Sequence, residues 1–190
     1  MRAFSDYSID YQTIMKEIES VMTAVDVSQV QKFVELFNNK NFNKIVVAGA
    51  GRMGYAAKGF AMRLGHMGFN AWTIGDSTVP QIAAGDLLIV TSGSGNTQTI
   101  YDIALKAFEN GASVALITNN LESRIGGLAS TMIKLPNPNN KSATSRTSVQ
   151  PMSTLNEQCL GLLLDTIVLS IMRLNDETHE TMWSRHSNLE

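Results

Sequence analysis

The chain has 190 residues, of which 44% are hydrophobic and 17% charged, with a formal net charge of −2. That length is enough for one domain that buries roughly 70% of its unfolded surface, and the near-neutral charge excludes a nucleic-acid binder acting through bulk electrostatics. A lone cysteine, Cys159, excludes an intrachain disulfide and points to a reducing compartment.

Met1 to Asp10 lacks the basic-then-apolar pattern of a signal peptide, and no apolar run reaches the roughly 18 residues of a membrane span. A soluble, cytoplasmic protein is expected. Tyr7 to Asn39 reads as one or two helices. Ile14, Ile18, Val21, Met22 and Val25 recur at helical spacing, and Val30, Phe33, Val34 and Phe37 continue the pattern after a break near Asp26-Val27-Ser28. Two such stripes ahead of the first strand suggest burial against another subunit.

An alternation then begins. Lys44–Ala48 is expected to be a strand, Met53–Met67 a helix, Ala71–Thr73 a short strand and Asp86–Thr91 another. Thr97–Glu109 reads as a helix closed by Asn110-Gly111, Ser113–Thr118 as a strand, Leu121–Ala129 as a short helix and Met132–Leu135 as a last strand. Pro136 to Pro151, with Lys141, Ser142, Arg146 and Ser148, is a long polar loop of the kind that closes over a ligand. A helix capped by Ser153 or Thr154 then runs to about Arg173, with Asp165 expected to be paired in the core or an interface; Asn175 to Glu190 is a polar tail. The order predicts an α/β three-layer sandwich around a five-stranded parallel sheet of flavodoxin-like order, with N-terminal helices added. One domain spans the chain: residues 1–40 helical, 44–135 the α/β core, 136–151 a loop, 152–190 the last helix and tail.

The most informative stretch is Leu87-Leu88-Ile89-Val90-Thr91-Ser92-Gly93-Ser94-Gly95-Asn96-Thr97. A buried strand breaks into glycines and hydroxyls and then into a helix. Glycines let backbone N–H groups crowd an anion, Ser92, Ser94 and Thr97 add donors, and the helix presents its positive end. This is a phosphate cradle. It lacks the lysine of a Walker loop, so the expected ligand is a small phosphorylated metabolite, not a nucleoside triphosphate with Mg²⁺.

Gly49-Ala50-Gly51-Arg52-Met53-Gly54 resembles a dinucleotide fingerprint, but the acidic residue about 20 positions later would have to be Asp76, in a loop. A second glycine turn against which a sugar lies, with Arg52 beside its phosphate or a hydroxyl, fits better. Glu157 has two readings of equal weight: a capping-box glutamate, or a carboxylate base aimed at a carbon acid. His66 stands at a helix end, where an imidazolium complements the dipole. His179 and His186 lie in the tail, and no metal-ligand spacing is visible.

These pieces resemble a sugar isomerase (SIS) domain, and more narrowly the 6-phospho-3-hexuloisomerase family. The resemblance rests on Val47-Ala48-Gly49-Ala50-Gly51-Arg52, Ala61 to Gly68, Gly85 to Ile89, the Ser92 loop, Gln150-Pro151-Met152-Ser153-Thr154-Leu155-Asn156-Glu157-Gln158, and Arg185-His186-Ser187-Asn188-Leu189-Glu190. It implies cofactor-free interconversion of 3-hexulose 6-phosphate and fructose 6-phosphate in a homotetramer with sites at subunit junctions. In that frame Ser92, Gly93, Ser94, Gly95, Asn96 and Thr97 hold the phosphate, while Gly49, Gly51, Arg52 and His186 face the sugar. Glu157 and His66 match catalytic positions, the histidine serving a neighbouring site. Met53 and Asn96 depart from the family pattern, which usually has serine and glutamate there. The alternatives are another phosphosugar aldose–ketose isomerase on this scaffold, or a non-catalytic sugar-phosphate binder.

Overall fold

Five short apolar segments, Ile45–Gly49 (β1), Ala71–Thr73 (β2), Leu87–Thr91 (β3), Ser113–Thr118 (β4) and Thr131–Lys134 (β5), pair in parallel in the order β2-β1-β3-β4-β5. The expected flavodoxin-like order is therefore present, in a computed structural model that describes residues 7–38, 41–136 and 148–189. β1 and β3 are in register from Ile45 opposite Leu87 to Gly49 opposite Thr91, so both strands end at the same level.

Alternation along the strands sorts their side chains into two cores. Ile45, Val47, Leu87, Ile89, Ala115, Ile117 and Ile133 face helices α1 (Tyr7–Thr23), α2 (Val27–Glu35), α3 (Gly51–His66) and α5 (Thr154–Leu174). Val46, Ala48, Leu88, Val90, Val114 and Leu116 face α4 (Gln98–Glu109) on the other side. The break between α1 and α2 is made by Asp26, whose Oδ1 accepts from Ser28 N at 2.8 Å as an N-cap. The apolar stripes of these two helices go largely into the chain's own core: Val21, Phe33 and Phe37 are buried, and Ile18, Met22, Val25, Val30 and Val34 pack against it. What stays exposed is a different set, Tyr7, Ile9, Tyr11 and Met15.

Four expectations need correction. The helix over Leu121–Ala129 is only a 3₁₀ turn at Gly126–Leu128. Asn120 Oδ1 accepts from Glu122 N and Ser123 Oγ from Gly126 N, each at 3.1 Å, so side chains take amides a helix would have used. The tail contains a helix, α6 (His179–Trp183), opened by a reciprocal capping box between Thr178 and Thr181. Asp165 is not in the core: it is exposed on α5 between Leu162 and Leu169, both exposed as well. By length and mean hydropathy (21 residues, 1.4), α5 is apolar enough to cross a membrane, yet its apolar side lies within the core layer. Of the long polar loop, residues 137–147 lie outside the described residues, Lys141, Ser142 and Arg146 among them.

Phe37 joins α2 to α3 and the sheet, with its ring centroid 5.8 Å from Phe33, 6.1 Å from Phe60 and 5.6 Å from Phe69. Truncating such a fully buried ring leaves a cavity that close-packed neighbours refill only in part. Phe37→Ala is expected to lower unfolding free energy by about 3–5 kcal/mol in denaturant titrations, whereas Phe108→Ala, at an exposed position, should change it little.

Candidate active site

β3 ends in the Ser92–Thr97 elbow, and the ladder continues one step further, with Ser92 N donating to Ile117 O at 3.0 Å. Thr91 Oγ1 donates to Met53 O at 3.1 Å on the α3 side, so strand alternation turns Ser92 to the α4 side. Ser92 is buried, and among the described residues its Oγ meets no hydrogen-bond partner. A buried hydroxyl without a partner costs about 1–3 kcal/mol, a penalty that a ligand oxygen would relieve. Ser94, Asn96 and Thr97 are exposed. Gly95 has φ +65 and its Cβ would collide with Ser123 Oγ, so only glycine makes this turn. Thr97 is the N-cap of α4 with no side-chain capping bond; Ile100 N turns back to Thr97 O at 3.1 Å, and the Gln98 and Thr99 amides stand at the positive end of the helix.

Asn96 holds the elbow's shape. Its Nδ2 donates to Ser94 O at 3.1 Å and its Oδ1 accepts from Arg124 N at 3.0 Å, tying the loop to the segment after β4. A neutral side chain here keeps a carboxylate out of the elbow.

At the neighbouring strand end the second glycine turn is packed tightly. A Cβ at Gly49 would run into Thr91 Oγ1, and one at Gly54 would lie 2.6 Å from Gly49 O. The third glycine of the fingerprint thus serves close strand-to-helix packing, and Gly51 opens α3 at φ +54. Asp76, the residue a dinucleotide site would need, accepts from Thr73 Oγ1 at 2.6 Å. Met53 packs against the hydrophobic core.

Arg52, in the first turn of α3, joins this turn to α5. Its Nη1 donates to Thr154 Oγ1 at 3.0 Å and to Glu157 Oε2 at 3.2 Å. Glu157 therefore does not close a capping box: Ser153, at the N-cap position, makes no side-chain capping bond, and the carboxylate turns to Arg52 instead. Both partners are substantially exposed, so the pair itself adds about 0–1 kcal/mol and serves mainly to orient the carboxylate.

Asn119 and Asn156 close the gap between α5 and the elbow. Asn119 Nδ2 donates to Leu135 O at 2.8 Å and Asn156 Oδ1 at 2.9 Å, and Asn119 N donates to Gly93 O at 2.9 Å. A Cβ at Gly93 would stand 2.9 Å from Asn119 Oδ1 and 3.5 Å from Asn156 Nδ2. The first turn of α5 thus lies directly against the elbow, one residue from Glu157. The signal was visible in principle: Asn156 falls on the buried stripe of α5 with Leu160, Leu163 and Leu164, where a polar residue calls for a partner.

His66 and His186 are not part of this constellation within one chain. His66 closes α3, fourteen residues beyond Arg52, or about 21 Å along the helix axis. There the His66 and His186 rings lie 5.1 Å apart, His186 stacks on Trp183 at 5.1 Å, and Arg185 Nη1 donates to His66 O at 2.9 Å and to Glu177 at 2.8 Å. One chain thus carries the Arg52–Glu157 pair at one end of α3 and the His66–His186 pair at the other.

Residues 37–160 match the family model described as the SIS domain. The 3-hexulose-6-phosphate isomerase of Bacillus subtilis is 45% identical over 149 residues, covering 78% of this chain and 80% of the relative. The enzyme of the same name from Mycobacterium gastri is 34% identical over 185 residues, covering 97% and 92%. Among solved structures, a Methanococcus jannaschii protein inferred to be a 3-hexulose-6-phosphate isomerase superposes with a TM-score of 0.81 at 27% identity, over 95% of this chain and 99% of that one.

The approach to α5 is held from α1. Glu17 accepts from Ser148 Oγ at 2.8 Å, Val149 N at 2.8 Å and Gln150 Nε2 at 3.0 Å, and the chain then passes through Met152 at φ +57 into α5. Burial pushes the Glu17 carboxyl up, but the three hydrogen bonds outweigh it and hold the pKa below 4.5. A folded pKa below the unfolded one stabilises above the unfolded value and is lost as pH falls through the folded one. Wild type should therefore exceed Glu17→Gln in Tm at neutral pH, with the gap shrinking as scans move to about pH 3; a gap independent of pH would contradict the clasp.

Proposed function

The chain belongs to the SIS-domain family, in the branch of the 3-hexulose-6-phosphate isomerases, and from that membership we propose that it interconverts D-arabino-3-hexulose 6-phosphate and fructose 6-phosphate through an enediolate. The observation that carries this reading is the first turn of α5, which bears Glu157, set beside a glycine- and hydroxyl-rich elbow by Asn156, with Arg52 on the carboxylate.

The phosphate sits on Ser92, Ser94, Thr97 and the first-turn amides of α4, with Gly93, Gly95 and Asn96 shaping the loop. Gly49 and Gly51 let the sugar approach backbone. Glu157 takes the proton from C2 of the 3-ketose as the C3 carbonyl becomes an enediolate oxygen; the hydroxyl proton on O2 passes to O3, and the same carboxylic acid returns its proton to C3 as the C2 carbonyl forms. Charge developing on the two oxygens is met by Arg52 and neighbouring donors. The phosphate, remote from the reacting carbons, supplies binding energy that holds C2 and C3 against the base.

Ring closure makes the two directions unequal. A 3-ketose phosphorylated at C6 could close only a four-membered ring through its 5-hydroxyl, whereas fructose 6-phosphate cyclises. A ring-opening acid is needed only from the fructose side, and His66 or His186 serves it. Because these lie about 21 Å from Arg52 along α3, they act on a neighbouring subunit's site in a homotetramer. The exposed apolar residues Tyr55 and Met62 on α3, and Leu162 and Leu169 on α5, favour such assembly. The setting is the cytoplasm, where the lone Cys159, its thiol pushed up to about 11 by burial and the nearby Glu17 charge, stays reduced.

Three outcomes are expected. Glu157→Gln should lower kcat by about 10²–10⁴ while fructose 6-phosphate still binds, as read by a coupled turnover assay and calorimetry; normal turnover would remove this residue as the base. Ser94→Ala should weaken phosphosugar binding by about tenfold or more, for loss of one bond to a charged group; unchanged affinity would put the phosphate elsewhere. Fructose 6-phosphate incubated with the protein in heavy water should gain deuterium at C3, whereas exchange at C1 would identify an aldose–ketose isomerase.

A further inference from the structure

Building on the phosphosugar reading above, we propose that Asn156 is a substrate-binding residue whose Nδ2 donates to an oxygen of the bound phosphosugar, in an orientation imposed by Asn119. The direction of every bond in the pair follows from one fixed acceptor. Leu135 O can only accept, so the Asn119 atom facing it, at 2.8 Å, is Nδ2. That same Nδ2 lies 2.9 Å from the Asn156 amide, so the Asn156 atom facing it must be its acceptor, Oδ1. Asn156 Nδ2, with two N–H donors, is thereby turned the other way.

That nitrogen stands 3.5 Å from the point where a Gly93 Cβ would be, at the side of the elbow facing α5. Asn156 is 4% exposed, and among the described residues no acceptor meets its Nδ2. A buried primary amide on an otherwise apolar helix face is costly unless something uses both ends of it. Asn119 uses one end. Ser92, in the same elbow and equally buried, likewise has a hydroxyl without a partner. Ser92 Oγ is thus buried at this loop without a partner, and Asn156 Nδ2, which is not shut off from the surface, faces the same loop from α5. An oxygen-rich ligand seated there satisfies both.

A purely structural amide latch is the competing account, and one substitution separates the two. In Asn156→Asp a carboxylate oxygen still accepts from Asn119 Nδ2, and more strongly, but no N–H remains and a negative charge faces the ligand. The experiment is calorimetric titration of wild type and Asn156→Asp with fructose 6-phosphate, with thermal melts of both and ¹⁵N side-chain amide spectra of the wild type. The variant is expected to melt like wild type and to bind at least about tenfold more weakly. In the wild type, the Asn156 side-chain amide peaks, assigned by triple-resonance spectra of the wild type alone, should shift on adding the sugar. Equal affinities, or amide peaks that stay put at saturation, would overturn the assignment while leaving the isomerase reading intact. A variant too unstable to melt like wild type leaves the decision to those wild-type peaks. A wild type that binds no fructose 6-phosphate would overturn both.

Discussion

Parallel pairing of β1 with β3 is the constraint from which the rest follows. The two strands are adjacent and in register to their last residues, Gly49 opposite Thr91, but their helices leave for opposite faces, α3 toward one core and α4 toward the other. The chain must therefore open a crevice between the two turns, at the carboxyl edge of the sheet, where ligands of doubly wound sheets bind. Both turns need glycine for different reasons: Gly49 and Gly54 so that strand and helix can touch, Gly93 so that the Asn119 side chain can close on the elbow.

The third wall of the crevice comes from far along the chain, and polar contacts keep it in place. Leu155, Cys159, Leu160, Leu163 and Leu164 bury the apolar side of α5 beside α3. Non-directional burial fixes that the helix packs, but does not by itself fix its rotation or height. Arg52 to Glu157, Asn119 to Asn156 and the Glu17 clasp on residues 148–150 supply directional contacts, all three in or just before its first turn. Each is modest in energy. Together they fix where the Glu157 carboxylate stands at the sheet edge.

Much of this was legible in the sequence because its causes are local. The elbow declares itself through turn chemistry, two glycines and three hydroxyls after a β-branched run, and the strand order follows from the β-α alternation and right-handed crossovers. Two of the failures have local causes as well. Leu121–Ala129 has enough apolar residues for a helix, but Asn120 and Ser123 cap it into a turn. His179 to Trp183 is too short for periodicity to reveal. The Glu17 clasp and the Asn119–Asn156 pair join residues 131 and 37 positions apart, which no single-chain pattern encodes. The capping-box reading of Glu157 falls to an arginine that sequence spacing could not bring beside it.

The central claim is that one crevice holds the phosphate on the Ser92–Thr97 elbow and presents C2 and C3 to Glu157. A crystal structure of Glu157→Gln with fructose 6-phosphate tests it most directly. The expected result is phosphate oxygens on the Ser92, Ser94 and Thr97 hydroxyls with C3 about 3–3.5 Å from the substituted side-chain amide. A phosphosugar bound with its phosphate elsewhere, or with its reacting carbons turned away from position 157, would contradict the account.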